Sequence, residues 1–264
     1  MNDIFDALAA WSGTPGFAAS HLATLVVAGL VGGLVRGYSG FGFALAAVPI
    51  LAIVVPPAVA VPSVILMELA IGSVTLPSVH ASLHRPTFLA LAAGSLAGTP
   101  LGLLFLRSLP AEPMRIVVAA MVLVSVVLIA FSARRKRADA RGPVIGAAGF
   151  VSGLMNGGTA MSGPPAILIV LGSNLDGRMA RATLIVFVLF SGVLAFAISA
   201  AYGLVGPAIF ANAAIMAVPV AAGTLIGIRL FAVLPEAHYR KVSLGILTVV
   251  ACTTLATALM GAIG

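Results

Sequence analysis

Residues 149–171 read GFVSGLMNGGTAMSGPPAILIVL, and residues 33–51 read GLVRGYSGFGFALAAVPIL. Both stretches are apolar sequence that glycine and proline interrupt at short intervals. The interruptions recur at one constant offset, which pairs Gly33 with Gly149, Gly37 with Gly153, Gly42 with Gly158 and Pro49 with Pro165. Two matching Gly/Pro-broken segments in two apolar halves are the signature of a secondary transporter, with its site where the halves meet.

A second set of residues repeats further along the chain. It pairs Gly98-Thr99 with Gly223-Thr224, Gly102 with Gly227, Leu109-Pro110 with Leu234-Pro235, and Arg115 with Arg240. The spacing of these glycines lets helix backbones approach closely, so we interpret them as helix-packing positions.

Composition places the chain in the bilayer. Of its 264 residues, 61% are hydrophobic and 8% are charged, and the mean hydropathy is +1.19. Long apolar runs without alternation favour helices over a barrel, since backbone groups in lipid must be paired internally. The net charge of +7 would suggest nucleic-acid binding in a soluble protein, but here the basic residues flank apolar segments, where they set topology. We predict no nucleic-acid partner.

The predicted fold is an all-α membrane protein with two inverted-topology repeats of about five hydrophobic segments each. The first repeat, residues 18–133, contains Ala18–Val35, Phe41–Val55, Ala58–Val79, Thr87–Leu106 and Met114–Ser132. The second, residues 143–264, contains Pro143–Met155, Ala160–Gly172, Ala182–Tyr202, Ala208–Ala232 and Val242–Ile263. Pro143–Met155 and Ala160–Gly172 are shorter than the roughly 20 residues of a full span. We expect them to form a hairpin that turns at Asn156-Gly157-Gly158-Thr159, with residues 36–42 as its counterpart.

Charge distribution predicts the orientation. The basic linker of residues 134–142, which begins Arg134-Arg135-Lys136-Arg137, belongs in the cytoplasm by the positive-inside rule. With it go His84-Arg85, Arg178 with Arg181, and Arg240-Lys241, whereas Arg107 and Arg115 fall outside. Arg178 and Arg181 are interpreted as topology signals, and a role in guarding the inner mouth is the alternative for Arg181. Both termini are then extracytoplasmic, including the acidic segment 1–17, in which we find no signal peptide. The predicted location is the inner membrane, crossed many times.

Arg36 is the sharpest candidate for binding, because a cation at membrane depth is costly unless it has a partner or a function. It suits an anionic substrate, and the alternative is that it reaches lipid phosphate at the interface. We assign Ser39, Gly40 and Gly42 of the same hairpin to the substrate site with it.

The second hairpin supplies the other predicted contacts. Ser162 is placed to cap a helix that begins at Gly163-Pro164-Pro165, and free amides at a helix start favour anions. The predicted substrate contacts are Asn156, Gly157, Gly158, Thr159 and Ser162. The alternative is that these polar side chains merely satisfy a broken backbone.

Glu68 is the lone acid in an apolar segment. It serves either as a salt-bridge partner, for which Arg36 is the candidate, or as the site of a coupling proton, and a purely structural pair is the third reading. The single cysteine, Cys252, has no partner at ligand spacing, so neither a metal site nor a cofactor is predicted.

The two hairpins and the Gly-Thr repeats resemble the TauE/SafE sulfite exporter family, also called the TSUP family, from about Ala18 onward. The resemblance implies transport of sulfite, sulfonates or related small organic anions. The first hairpin differs from the second in having Val48-Pro49 in place of Pro164-Pro165, so we expect unequal contributions from the two.

The leading hypothesis is therefore a transporter, not an enzyme, that moves a small anion by alternating access. A coupling proton or cation and a homo-oligomer are left open. The alternatives are an intramembrane enzyme that acts on a lipid phosphate, which one membrane carboxylate argues against, and a non-transporting membrane subunit.

Overall fold

The computed structural model describes residues 19–39, 42–132 and 142–233, and this part of the chain is all-helical. Its helices are α1 (Ala19–Ser39), α2 (Phe43–Leu51), α3 (Pro57–Val79), α4 (Arg85–Ser108), α5 (Ala111–Ser132), α6 (Gly142–Thr159), α7 (Gly163–Leu171), α8 (Gly177–Ala201) and α9 (Pro207–Val233), with a 3-10 turn at His80–Ser82. The predicted all-α class is confirmed. Predicted segment Val242–Ile263, residues 1–17 and the basic run of the linker lie outside the described residues.

Six of the described helices are long and apolar enough to cross a membrane. These candidate spans are Ala19–Tyr38, Pro57–Val74, Arg85–Ser108, Ala111–Ile129, Gly177–Ala201 and Pro207–Leu230. Helices α2 and α7 have nine residues each, or about 13 Å of helix, so neither can cross a bilayer alone. Both are nevertheless largely buried: in α2 only Ile50 is partly exposed, and in α7 only the last residue, Leu171, is exposed.

The two short helices follow breaks in the backbone. Gly42, which precedes α2, has φ 88°, and Ala160, which precedes α7 by three residues, has φ 60°. Both values lie in the left-handed region that glycine tolerates and alanine disfavours. The chain therefore stops one helix and starts another at each of these points.

The structure corrects the predicted position of the second break. Asn156-Gly157-Gly158-Thr159 is the last turn of α6, and the break spans Ala160 to Ser162. Gly157 does not interrupt the helix. It packs instead against the α4 backbone at Thr99, where a Cβ would collide. Gly157 therefore serves close packing, whereas a Cβ on Gly158 would make only ordinary contacts, the nearest at 3.6 Å.

The structure also corrects the register of the repeat. Helix α1 ends at Ser39 and α6 at Thr159, α2 is Phe43–Leu51 and α7 is Gly163–Leu171, and α3 begins at Pro57 and α8 at Gly177. Every second position is numbered 120 above the first, which pairs Gly33 with Gly153 rather than with Gly149. The predicted offset was four residues too short, or about one helical turn.

Close contacts recur between equivalent helices, with a difference of 125 in residue number between α4 and α9 and of 120 between the other helices. The most extensive helix pairs are α4 with α6 and α1 with α9. Gly98 of α4 fits against Phe150 and Leu154 of α6, just as Gly223 of α9 fits against Leu30 and Leu34 of α1. Similarly, Gly72 of α3 meets Leu189 of α8, and Gly192 of α8 meets Leu69 of α3. The first set of helices, α1 to α4, and the second set, α6 to α9, thus pack against each other through equivalent glycines. The Gly-Thr repeat predicted this close packing.

Contacts between connections define two ends of the helix assembly. At the Arg115 end, Arg115 donates from Nε to the carbonyl of Ala52, after α2. Arg107 is in the last turn of α4, just before α5, and its guanidinium lies 5.8 Å from the centre of the Tyr202 ring. At the His84 end, the His84 amide donates to Thr183 Oγ1 in α8 at 3.1 Å. The connection from α2 to α3 is therefore at the Arg115 end, and the start of α8 is at the His84 end.

Candidate functional site

A cavity of about 580 Å³ lies between the two helix breaks. The end of α1 and the start of α2 line one side of it, and the residues from Ala160 to Pro164 line the other. Helices α3 and α8 complete the wall, with Ile228 of α9. A volume of this size is in the range of small-molecule sites.

Three charged side chains line the cavity among the described residues: Arg36, Glu68 and Arg181. Arg36 and Glu68 are partly buried, whereas Arg181 is exposed. Two guanidinium groups and one carboxylate leave an excess of one positive charge. Most of the remaining lining is apolar, so this charge acts in surroundings that screen it weakly.

Neither arginine of the cavity forms an ion pair within 4 Å with a described carboxylate. The ion pair that the described residues do form joins Arg115 to Glu112, away from the cavity. Glu68 interacts electrostatically with Arg36, and its carboxylate faces the backbone amide of Ala44. Ala44 is in the first turn of α2, so the Glu68 carboxylate lies at the positive end of that helix.

The structure brings some of the predicted site residues together. Arg36, Gly42, Ser162 and Glu68 all line the cavity, although they come from both halves of the chain. Of the other predicted residues in the first hairpin, Gly40 lies outside the described residues, and only the helical backbone of Ser39 is described.

The last turn of α6 is placed differently. Asn156, Gly157, Gly158 and Thr159 are buried but do not line the cavity. The Asn156 amide donates to Ser191 Oγ and to the Ser191 carbonyl, both at 2.8 Å, and the Thr159 hydroxyl donates to the Met155 carbonyl at 2.7 Å. Their contact with substrate stays a prediction that this conformation does not test.

Ser162 lies at the predicted N-cap position of α7, but its side chain makes no capping hydrogen bond, which corrects the capping prediction. Its φ of −73° and ψ of −22° are helical, whereas a capping residue usually has extended backbone. Pro164 and Pro165 carry no N–H, so the first turn of α7 offers few amides. Charge in the cavity therefore comes mainly from side chains.

The sequence favours a topology role for Arg181 over a role at the inner mouth, but the structure places Arg181 in the cavity wall. It lies on the same face of α8 as Leu184, Ile185 and Val188, and all four line the cavity. Their spacing of three and four residues is that of one helix face. That spacing, counted from an arginine at a helix start, is the signal that could have identified it.

Six apolar helices long enough to cross a bilayer define a multi-pass membrane protein, and a charged cavity lies between its broken helices. The family model described as "Sulfite exporter TauE/SafE" matches residues 25–254. The chain belongs to this family of transporters. Comparisons with curated proteins and with solved structures found no match.

Proposed function

We propose that this chain is a secondary transporter that moves a small anion, namely sulfite, a sulfonate or a related organosulfur anion. The observation that carries the proposal is the cavity in which Arg36 and Arg181 face a largely apolar wall. The guanidinium fork matches the oxygens of a sulfur oxyanion, and the apolar wall suits a short carbon chain. Membership of the TauE/SafE family supports the same substrate class.

The proposed mechanism is alternating access around the two helix breaks. The connection from α2 to α3 and the equivalent connection from α7 to α8 lie at opposite ends of the helix assembly. Ala52, just after α2, accepts a hydrogen bond from Arg115, whereas Thr183, near the start of α8, accepts one from the amide of His84. This arrangement supports the predicted inverted repeats. Positive-inside bias assigns the His84 end to the cytoplasm of an inner-membrane protein, because Arg85, Arg178 and Arg181 are there.

Glu68 is proposed as the coupling group. Its carboxylate shares the cavity with both arginines, so its charge changes the net charge that an anion meets. Export of an anion from a negative interior needs no coupling ion, whereas uptake needs one.

The test is ligand-induced stabilisation of the purified protein. We would screen sulfite, sulfate, thiosulfate, taurine, sulfoacetate, isethionate and simple carboxylates, because a ligand at 100 times its Kd stabilises by about 2.7 kcal/mol. Arg36→Ala should abolish the shift caused by the active anion and abolish its transport in proteoliposomes. Arg107→Ala is the matched control, since Arg107 is exposed near Tyr202. Equal stabilisation and transport in Arg36→Ala and the unaltered protein would refute the proposal.

A further inference from the structure

The cavity extends toward the His84 end. Leu171, Gly177 and Arg181 line it, and they flank the connection from α7 to α8. Thr183, two residues beyond Arg181, contacts His84. Toward the Arg115 end, the equivalents of Leu171 and Arg181 are Leu51 and Val61, and both are 0% exposed, although Ile53 and Val54 in the connection from α2 to α3 are exposed.

Three pairs of equivalent positions contribute both members to the cavity. The second member of each pair is numbered 120 above the first. The pairs are Gly42 with Ser162, Ala44 with Pro164, and Glu68 with Val188. When both members of an equivalent pair line the same cavity, they mark the place where the two sets of helices meet. These six positions therefore form the centre of the site.

Four other apolar lining residues, all in the second half of the chain, are more exposed than their equivalents. Leu171 is 49% exposed and Ile228 is 53% exposed, while Leu184 and Ile185 are partly buried. Their equivalents are buried at 0% exposure and are Leu51, Leu103, Val64 and Ile65. The pairing of Ile228 with Leu103 follows the offset of the Gly98 and Gly223 contacts. At these four positions, α7 to α9 are thus open to the cavity, while the equivalent positions on α2 to α4 are closed.

We propose that the closed surface formed by Leu51, Val61, Val64, Ile65 and Leu103 is the second half of the substrate pathway. This inference rests on the proposed function. Because both sets of helices make equivalent glycine crossings, each set can adopt the packing that the other has here. The closed surface then opens toward the Arg115 end as the cavity closes at the His84 end, and the substrate stays at the shared centre.

The two halves of the pathway differ in charge. Arg36 is equivalent to Asn156, and Arg181 is equivalent to Val61, by the same difference of 120 in residue number. The second half therefore carries fewer positive side chains and holds an anion less tightly. In that conformation Asn156 takes the place of Arg36 beside the substrate, which is the contact that the sequence predicted.

The test is cysteine accessibility from each side of the membrane. Cys252 is the only cysteine, so Cys252→Ala provides a cysteine-free background. Ile65→Cys and Ile185→Cys are matched substitutions at equivalent positions, and Val64→Cys with Leu184→Cys is a second pair should one variant fail to fold. Leu96→Cys, on an exposed apolar surface, controls for lipid-facing positions. A membrane-impermeant maleimide is applied to right-side-out and inside-out vesicles, with and without the transported anion.

We expect Ile185→Cys to be labelled only from the side of the His84 end, and Ile65→Cys only from the opposite side. Labelling of Ile65→Cys should be at least about tenfold slower, because a minor conformation is populated at no more than about 10%. The inference is overturned if the cysteines at positions 64 and 65 stay unlabelled from both sides, or react from the same side as Ile185→Cys, while the background transports. If the background itself transports none of the tested anions, the proposed function fails, whatever the labelling.

Discussion

The side-chain amide of Asn156 donates to both the hydroxyl and the carbonyl oxygen of Ser191, at 2.8 Å each, and so fastens α6 to α8. Asn156 is 1% exposed, and Ser191 is 0% exposed. In the first half of the chain the equivalent of Asn156 is Arg36, which lines the cavity instead. In this conformation Arg36 therefore lines the cavity, whereas the equivalent Asn156 joins two helices.

Asn156→Ala should destabilise the substrate-free protein by about 1–2 kcal/mol, because two buried hydrogen bonds are lost. Thermal unfolding of the purified protein measures this. Ser191→Ala removes only the bond to the hydroxyl, so its effect should be smaller. Equal stability of Asn156→Ala and the unaltered protein would show that the bonds contribute nothing.

Gly37→Ala and Gly157→Ala should each destabilise the protein by about 2–3 kcal/mol or prevent folding, because overpacking forces backbones apart. A Cβ on Gly37 would collide with the Thr224 carbonyl, and one on Gly157 would collide with the Thr99 carbonyl. The measurement is the yield and thermal stability of monodisperse protein.

Gly142→Ala is the matched control on the same helix as Gly157. No atom lies within 4 Å of a Cβ built on Gly142, so this variant should have nearly unchanged stability. If Gly157→Ala is as stable as Gly142→Ala, the α4 and α6 backbones are not as close as described.

Glu68→Gln should bind a monoanion about fivefold more tightly, because removing one like charge from the cavity is worth about 1 kcal/mol. Glutamine has nearly the size of glutamate and keeps an oxygen that can face the Ala44 amide, so α2 should keep its position. Isothermal titration with the active anion measures the Kd. Unchanged affinity would place the anion beyond the influence of Glu68.

The same variant tests the coupling role of Glu68. A glutamine has no titratable proton, so transport by Glu68→Gln should lose the pH dependence that proton coupling gives the unaltered protein. The measurement is uptake into proteoliposomes at several imposed pH gradients. A pH dependence that persists in the variant would assign the proton to another group.

Thr99→Val should leave stability unchanged or raise it by up to about 1 kcal/mol, because replacing an unpaired buried hydroxyl removes a desolvation cost. Thr99 Oγ1 is buried without a hydrogen-bond partner in the described structure. Thr183→Val is the control, since the Thr183 hydroxyl donates to Met179 and accepts from His84. Chemical or thermal denaturation should rank the control as the less stable variant.

Much of the fold could be predicted because its causes are local. Apolar runs bounded by glycine, proline or charge predict the spans, and Arg36 stands out as a cation in such a run. The register of the repeat could not be predicted in the same way. Gly29, Gly33 and Gly37 are spaced by four residues, as are Gly149, Gly153 and Gly157. An alignment shifted by one turn still pairs two glycines of each set, and it also pairs Gly42 with Gly158 and Pro49 with Pro165. Only the carbonyl that each glycine meets on α4 or α9 distinguishes the two alignments.

The site residues also differ in whether the sequence alone could identify them. Arg36, Gly42 and Ser162 could be chosen from the pattern of the breaks, since the breaks themselves line the cavity. Asn156 could not be assigned, because its partner Ser191 is 35 residues away on another helix. Arg181 could not be assigned either, because a basic residue near a membrane surface has an adequate explanation in topology alone.

The pairing of α1 with α9 affects the order in which the chain can mature. Helix α1 is the first described span to leave the ribosome, but the helix that accepts its glycines begins only at Pro207. During synthesis, α1 must therefore remain in the bilayer with its glycine face against lipid or the insertion machinery until most of the chain has been translated. Late assembly makes the nascent protein dependent on whatever shields that face, and truncated products should be degraded rather than accumulate.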